Sequence, residues 1–192
     1  MRNLFKIYQA LPDKQEGLDW YVLGYEFCKK LSEKYSQPLP VVCAIVSALS
    51  PATNWEQNKK DAVRLLESNE KGLSSKSFTT YGQNVRKAHA ILEDKLDPLN
   101  AFSMKTGPKT YNFFHNLLNP YDSDYVTVDR HAYTIAVGAN NGRISPLLYK
   151  KISDGYRRAA GKAGILPNQL QAVLWVTHRK ENVNQFKEYM PF

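Results

Sequence analysis

The sequence has few cysteines and no long hydrophobic run. The longest apolar run, Val41 to Val46, is far too short for a bilayer span, which needs about 20 residues. The only cysteines are Cys28 and Cys43, which rules out a four-cysteine zinc or iron–sulfur site. We expect two reduced, buried thiols. The first residues lack the apolar centre of a secretory signal, so a soluble intracellular protein is expected.

Acidic residues are fewer than basic ones. Asp and Glu number 18 against 26 Lys and Arg, which gives a formal net charge of +8. Such a balance favours a polyanionic partner, most often nucleic acid, although charge alone fits a soluble protein that happens to be basic. The apolar fraction of 43% and the charged fraction of 23% are ordinary for a globular domain. They exclude a disordered tail, a collagen-like repeat and a coiled coil.

No segment has a convincing strand pattern. Apolar residues recur with the spacing of a helix over nearly the whole sequence. Apolar residues three and four apart predict a helix from Leu18 to about Tyr35, and Val41–Leu49 is typical of a buried helix. Asn54 is the predicted N-cap of a helix over Trp55–Glu67. Further helices are predicted over Gln83–Leu92, Lys109–Leu118, Asp129–Val137, Pro146–Gly161 and Pro167–His178, with another turn of helix at Leu99–Met104. The expected fold class is all-α.

Residues 104–118 have the features of a phosphate-binding helix start. A glycine turn comes directly before a predicted helix, and the N–H groups and positive dipole end of a helix N-terminus bind phosphate. Gly107 would supply either an unusual backbone angle or a close approach. Pro108 suits the first helical position, where its missing N–H costs nothing. Lys105 and Thr110 can add contacts to the same phosphate backbone.

Three blocks of the chain resemble the helix-hairpin-helix (HhH-GPD) DNA glycosylase superfamily, and endonuclease III-like enzymes most closely. The family hairpin ends in Gly-x-Lys-Thr and is followed by Val-Asp-x-His, which residues 107–110 and 128–131 match. Upstream, residues 47–59 resemble the family's Leu-Ser-Ala-Gln-Ala-Thr-Asp segment with its Asn-Lys. Residues 81–88 resemble its Tyr-Asn-x-Lys-Ala block. In order, these blocks cover about residues 40–138, roughly half of the chain.

The resemblance implies a two-lobed helical fold with the active site in the cleft between the lobes. The hairpin would lie near residues 100–118, within a glycosylase-like core over residues 40–138. Residues 139–192, together with residues 1–39, would form the second lobe. The whole chain, residues 1–192, would be one compact unit.

The resemblance also implies a reaction, in which a base is flipped out of double-stranded DNA and excised. Lys109 would attack C1′ as the nucleophile and form a Schiff base, which permits strand cleavage. Asp129 would stabilise the positive charge that develops on the sugar. Burial or neighbouring cations must then favour the neutral amine. The alternative is an ordinary structural role for each residue. Lys109 would then be a solvated charge, and Asp129 would be the N-cap of a helix.

The expected function is a DNA base-excision glycosylase with associated AP-lyase activity. It would act as a monomer on double-stranded DNA, without a cofactor, metal or membrane. Its place would be the cytoplasm, near the nucleoid, or the host cytoplasm if a phage encodes it. Two alternatives stay open, namely a base-modifying relative of the glycosylases and a non-catalytic DNA-binding module.

Secondary site residues follow from the same resemblance. The implied DNA contacts are Asn54, Trp55, Lys105, Thr106, Gly107, Pro108 and Thr110. The implied base-pocket residues are His131, Gln171 and Trp175. Trp55, Gln171 and Trp175 can equally be packing residues, and His131 a structural histidine. The adjacent Arg157 and Arg158 either contact phosphates or belong to a solvated face.

The sequence departs from the family at three points. Lys105 replaces the first glycine of the hairpin's Leu-Pro-Gly-Val-Gly. The glutamine that fills the gap left by the flipped base falls at about Pro51, so Asn54 or Trp55 would have to fill the stack. The C-terminal four-cysteine iron–sulfur loop is missing, as it is in some relatives.

Overall fold

The structure is a computed structural model that describes residues 1–71, 78–138 and 144–188, with side chains omitted for 69–71 and 181–188. Within these ranges the chain forms nine α-helices and no strand, which confirms the predicted all-α class. The helices are α1 (Leu4–Ala10), α2 (Gln15–Lys34), α3 (Leu39–Leu49), α4 (Trp55–Lys71), α5 (Gly82–Leu92), α6 (Pro108–Leu118), α7 (Arg130–Val137), α8 (Pro146–Ala163) and α9 (Pro167–Glu188).

The chain divides into two compact units. Unit 1 comprises Met1–Val22 and Pro120–Phe192, and unit 2 comprises Leu23–Asn119. The glycosylase-like core expected over residues 40–138 therefore includes parts of both units. The two lobes expected from the resemblance, and the cleft between them, stay predictions. Residues 139–143 and 189–192 of the expected second lobe lie outside the described residues.

Unit 1 is built on α7, α8 and α9, with α1 packed against α8 and α9. Its core includes three buried tyrosines, Tyr133, Tyr149 and Tyr156, among aliphatic side chains. Close to the start of α2, Gly17 lies against α9, and a Cβ at this position would overlap the Val173 backbone. This close approach requires glycine, because any larger residue would force the two helices apart.

Unit 2 is built around α3, which packs against α4, α5 and α6. Every residue from Val42 to Leu49 is buried, as expected for a short helix that is apolar on all sides. The two cysteines lie in this unit, and both are free and buried, as predicted. A hydrogen bond to Cys43, together with burial, holds the pKa of the Cys28 thiol well above its usual value.

The helix turn predicted over Leu99–Met104 is wrong, because none of the residues 98–106 is helical. Side-chain hydrogen bonds explain the difference. The Asp97 carboxylate accepts the Leu99 N–H at 3.0 Å and the Asn100 side-chain amide at 2.6 Å. Short polar side chains that bond to nearby backbone in this way compete with helix formation.

Candidate functional site

The segment before α6 forms a tight turn that leaves the start of the helix open. The Gly107 N–H donates to the Ser103 carbonyl at 2.8 Å, and the Lys105 N–H donates to the Ser103 hydroxyl at 3.2 Å. Gly107 is the N-cap residue of α6, with no side-chain hydrogen bond to the first turn, and Pro108 follows as predicted. The first N–H groups of α6 are therefore available to an external acceptor.

A side chain at Gly107 would be crowded, whereas the φ angle there does not call for glycine. Its φ of −145° lies outside the left-handed region, so the unusual-angle alternative is wrong. A Cβ at this position would lie 3.0 Å from the Thr110 hydroxyl oxygen. That hydroxyl donates to the Gly107 carbonyl at 3.0 Å. Because the Thr110 hydroxyl proton is used inside the turn, a phosphate would be met by the Thr110 backbone N–H.

The side chains around this helix start differ in exposure. Lys105 and Thr106 are exposed, whereas Lys109 is half-buried in the first turn of α6. Among the described residues, the Lys109 ammonium has no hydrogen bond or ion pair. A cation in this position adds to the positive end of the helix dipole, and both attract an anion.

A buried amide that the sequence analysis did not identify supports this turn. The Asn112 side-chain amide donates to the Pro108 carbonyl at 2.7 Å and contacts the Met104 sulfur at 3.3 Å. It thereby links the first turn of α6 to the segment that precedes it. The signal in the sequence was an asparagine on the buried side of a predicted helix, four residues after the proline.

The start of α4 lies in the same unit. The Asn54 side chain accepts the Gln57 N–H at 2.9 Å, which confirms the predicted N-cap. Trp55 is half-buried and packs edge-on against Phe27, with ring centroids 5.7 Å apart, and against Phe113 at 6.5 Å. This contact to α6 fits the packing alternative for Trp55. Asn54 is exposed and stays a predicted DNA contact.

Asp129 is the N-cap of α7, in unit 1. Its Oδ1 accepts the Ala132 N–H at 2.8 Å, so the carboxylate has the structural role that its position allows. No described residue donates a hydrogen bond to the other oxygen. The side chain is partly exposed, and that oxygen is therefore the part of Asp129 that remains for chemistry.

Two tyrosines from α8 hold the Asp129 segment in place, and the sequence analysis identified neither. The Tyr149 hydroxyl donates to the Val126 carbonyl at 2.9 Å and accepts the Val128 N–H at 3.0 Å. The Tyr156 hydroxyl donates to the Ala132 carbonyl at 3.2 Å. Burial, together with the nearby Asp129 charge, raises the pKa of Tyr156 far above its usual value. Tyr156 is therefore neutral and acts as a hydrogen-bond donor.

The predicted base-pocket residues make packing contacts within unit 1. Gln171 is buried, and its side-chain oxygen accepts the Tyr21 hydroxyl at 2.8 Å. Trp175 packs edge-on against Trp20, with centroids 5.4 Å apart, and the Arg179 guanidinium lies 4.9 Å from its ring. These contacts fit the packing alternative, and no signal near Gln171 in the sequence identifies its partner. The His131 ring lies edge-on to His178 at 5.4 Å.

The predicted residues are distributed over both units. The hairpin residues, Lys109, Asn54 and Trp55 belong to unit 2, whereas Asp129, His131, Gln171 and Trp175 belong to unit 1. Across the described ranges, no three His, Cys, Asp or Glu side chains are grouped as a metal site would require. In the same ranges, no helix combines the length and apolar character of a bilayer span.

In its described residues the chain is thus an all-α protein of two units. Helix α6 begins without a side-chain cap, whereas the Asp129 carboxylate caps the start of α7. Residues 1–182 match a family of unknown function (DUF7178), and the chain belongs to that family. No curated protein and no solved structure matches the chain.

Proposed function

We propose that this protein is a DNA base-excision glycosylase with associated AP-lyase activity, related to the HhH-GPD superfamily. The observation that carries the proposal is the position of Lys109. It lies in the first turn of a helix whose N-terminus has no side-chain cap, inside the Gly-Pro-Lys-Thr motif. Its ammonium has no partner among the described residues, so no internal ion pair has to be broken before it engages a substrate.

The start of α6 supports binding to a DNA backbone. The backbone N–H groups of Lys109 and Thr110 belong to the first turn, which has no side-chain acceptor. A phosphate oxygen is the acceptor that such a site prefers. The exposed Lys105 adds a positive charge at the same place. Such contacts hold the duplex without reading its sequence.

In the chemistry assigned to Lys109, its ammonium first gives up a proton to the solvent, and the neutral amine then attacks C1′ of the flipped nucleotide. The glycosidic bond breaks, and the base leaves with the bonding electrons and takes up a proton. The attached amine then passes a proton to the ring oxygen as the C1′–O4′ bond breaks, which opens the sugar and leaves a protonated Schiff base. Removal of a 2′ proton expels the 3′ phosphate and cleaves the strand.

Asp129 has the electrostatic role in this proposal. The positive charge that builds on the sugar as the base departs is stabilised by a carboxylate whose position is already fixed. The hydrogen bond from the Ala132 N–H fixes Oδ1, and the second oxygen stays available to the sugar. The two tyrosines of α8 support the segment that positions it.

The test is borohydride trapping, which converts a Schiff base into a stable protein–DNA adduct. Wild-type protein is incubated with labelled duplexes that contain thymine glycol, uracil, hydroxymethyluracil, 8-oxoguanine or an abasic site. We expect an adduct on at least one duplex, and Lys109→Gln should reduce it to background because glutamine has no nucleophilic amine.

Lys105→Gln is the matched control. It removes a lysine from the same turn, so we expect weaker DNA binding and undiminished trapping at saturating DNA. Trapping retained by Lys109→Gln contradicts the nucleophile assignment. Intact strands together with a changed base mass would point to base modification. Binding with neither product would point to a DNA-binding module without catalysis.

A further inference from the structure

Helix α8 in unit 1 is strongly basic. It carries Lys150, Lys151, Arg157, Arg158 and Lys162 against the single acid Asp154. Since a run of like charges is often only a solvated face, the arrangement of these side chains has to decide what they do.

Ion pairs divide the basic residues into two groups. Asp154 binds Lys150 at 2.7 Å and Arg157 at 3.1 Å. Arg157 also donates to the Asp124 carbonyl at 2.6 Å, so it holds the loop before α7 and is not free to bind a partner. The second group comprises Lys151, Arg158 and Lys162. All three are exposed, and among the described residues none of them has an ion pair or a hydrogen bond.

The three unpaired cations lie on one side of α8. They are spaced seven and four residues apart, which is the period of a single helix face. The row extends over about 16 Å, given 1.5 Å of rise per residue. Successive phosphates of one DNA strand rise about 3.4 Å along the duplex axis, so the row is long enough to contact several of them.

Gly161 lies between Arg158 and Lys162 in the chain and is also exposed. A Cβ at this position would meet nothing within 4 Å, in contrast to Gly155 on the same helix, where a Cβ would collide with Met1. Packing within the protein therefore does not require this glycine. Glycine also weakens a helix relative to alanine. A glycine that packing does not need leaves the helix backbone open to close approach by another molecule.

We propose that Lys151, Arg158, Gly161 and Lys162 form a second DNA-docking surface, which binds the phosphate backbone of duplex DNA. This docking surface rests on the proposed function, because it assumes that the partner is double-stranded DNA. The three cations neutralise phosphates, and the glycine lets the helix backbone approach the strand. The surface adds affinity and no sequence preference.

The test compares two charge-matched triple variants in duplex binding across a range of salt concentrations. One is Lys151→Gln/Arg158→Gln/Lys162→Gln, and the other replaces the exposed Lys6, Lys29 and Lys30 by glutamine. We expect the first variant to lose more than about tenfold in affinity at low salt, and its salt slope to fall by about 0.9 for each lost phosphate contact. The second should stay close to wild type. Equal losses in both variants would overturn the proposal.

A third variant, Gly161→Ala, separates binding from folding. Alanine should raise the melting temperature, because it favours the helix and meets no clash. We nevertheless expect weaker binding to duplex DNA by several-fold, because the added methyl group keeps the strand away. If Gly161→Ala is more stable but binds duplex DNA as tightly as wild type, the proposal that the strand approaches the helix backbone at Gly161 is wrong.

Two further readouts separate this proposal from the proposed function. The α8 triple variant should still form the borohydride adduct at saturating DNA, since its lysine nucleophile is intact. If wild-type protein forms no adduct but the α8 variant still loses duplex affinity, the proposed reaction fails and the docking surface stands. If the α8 variant loses binding to anionic phospholipid vesicles and keeps its DNA affinity, the docking surface as proposed is wrong.

Discussion

Helices α6 and α7 begin in different ways. The α7 helix starts with Asp129, whose carboxylate accepts a first-turn N–H at 2.8 Å. The α6 helix starts with Gly107 and Pro108, and no side chain accepts a hydrogen bond from its first turn. Both starts follow a short non-helical segment that internal hydrogen bonds hold in place.

This difference indicates what each helix start can bind. A carboxylate at an N-cap satisfies the nearby N–H groups and leaves a negative charge, which suits a cation or a developing positive charge. A start without such an acceptor keeps its donors and its positive potential, which suits an anion. The two helix starts thus have opposite electrostatic character, which is what the proposed phosphate contact and the proposed sugar-stabilising carboxylate would need.

The largest expected effect comes from removing the charge at the α7 start while keeping the cap. Asp129→Asn retains an oxygen for the Ala132 N–H, because asparagine is as good an N-cap as aspartate. We expect base excision to slow by about 10²–10³-fold, since the stabilising charge is lost. Single-turnover excision assays measure this, with melting temperature and DNA affinity as controls. An excision rate equal to wild type would mean that Asp129 is only a helix cap.

A smaller effect is expected when the α6 start is made to resemble the α7 start. Gly107→Asp places a carboxylate where the phosphate is proposed to bind, and we expect duplex affinity to fall by about tenfold at low salt. Gly107→Asn is the control, because it brings the same crowding against the Thr110 hydroxyl without the charge. Fluorescence anisotropy with labelled duplex measures both variants. Equal affinities for the two would show that charge at this position is unimportant.

The smallest expected effect concerns the cap of α7 itself. Asp129→Ala removes the acceptor of the Ala132 N–H and should lower the free energy of unfolding by about 1 kcal/mol relative to Asp129→Asn. Urea denaturation followed by circular dichroism measures the difference. If both variants are equally stable, the hydrogen bond at 2.8 Å contributes nothing to stability and the contrast between the two helix starts is weaker than described.

Most helices could be predicted from the sequence because their signals are local. The apolar period predicted α2 and α3, and Asn54 predicted the start of α4. A turn of helix was predicted at Leu99–Met104 because apolar spacing alone does not show that Asp97 will bond to the backbone after it. Helix α1 was not predicted, although Asn3 accepts the Lys6 N–H as its N-cap.

The candidate site was predictable only in part. The helix starts at Gly107 and Asp129 follow from residue types that favour those positions. The partners of these segments come from distant parts of the chain, as with the Tyr149 hydroxyl bound to Val126 and the Gln171 oxygen bound to Tyr21. A single sequence gives no signal for such pairs, since they depend on how the helices pack.

The paired cysteines provide a chemical reporter for one unit. Both thiols of the chain lie in unit 2, and both are buried. Alkylating reagents react with exposed thiolates, which burial and the raised pKa of Cys28 suppress in the folded state. The rate of cysteine modification therefore reports how often the buried residues around Cys28 and Cys43 become accessible. A variant that loosens this part of the molecule should therefore speed the modification, and no added label is needed to follow it.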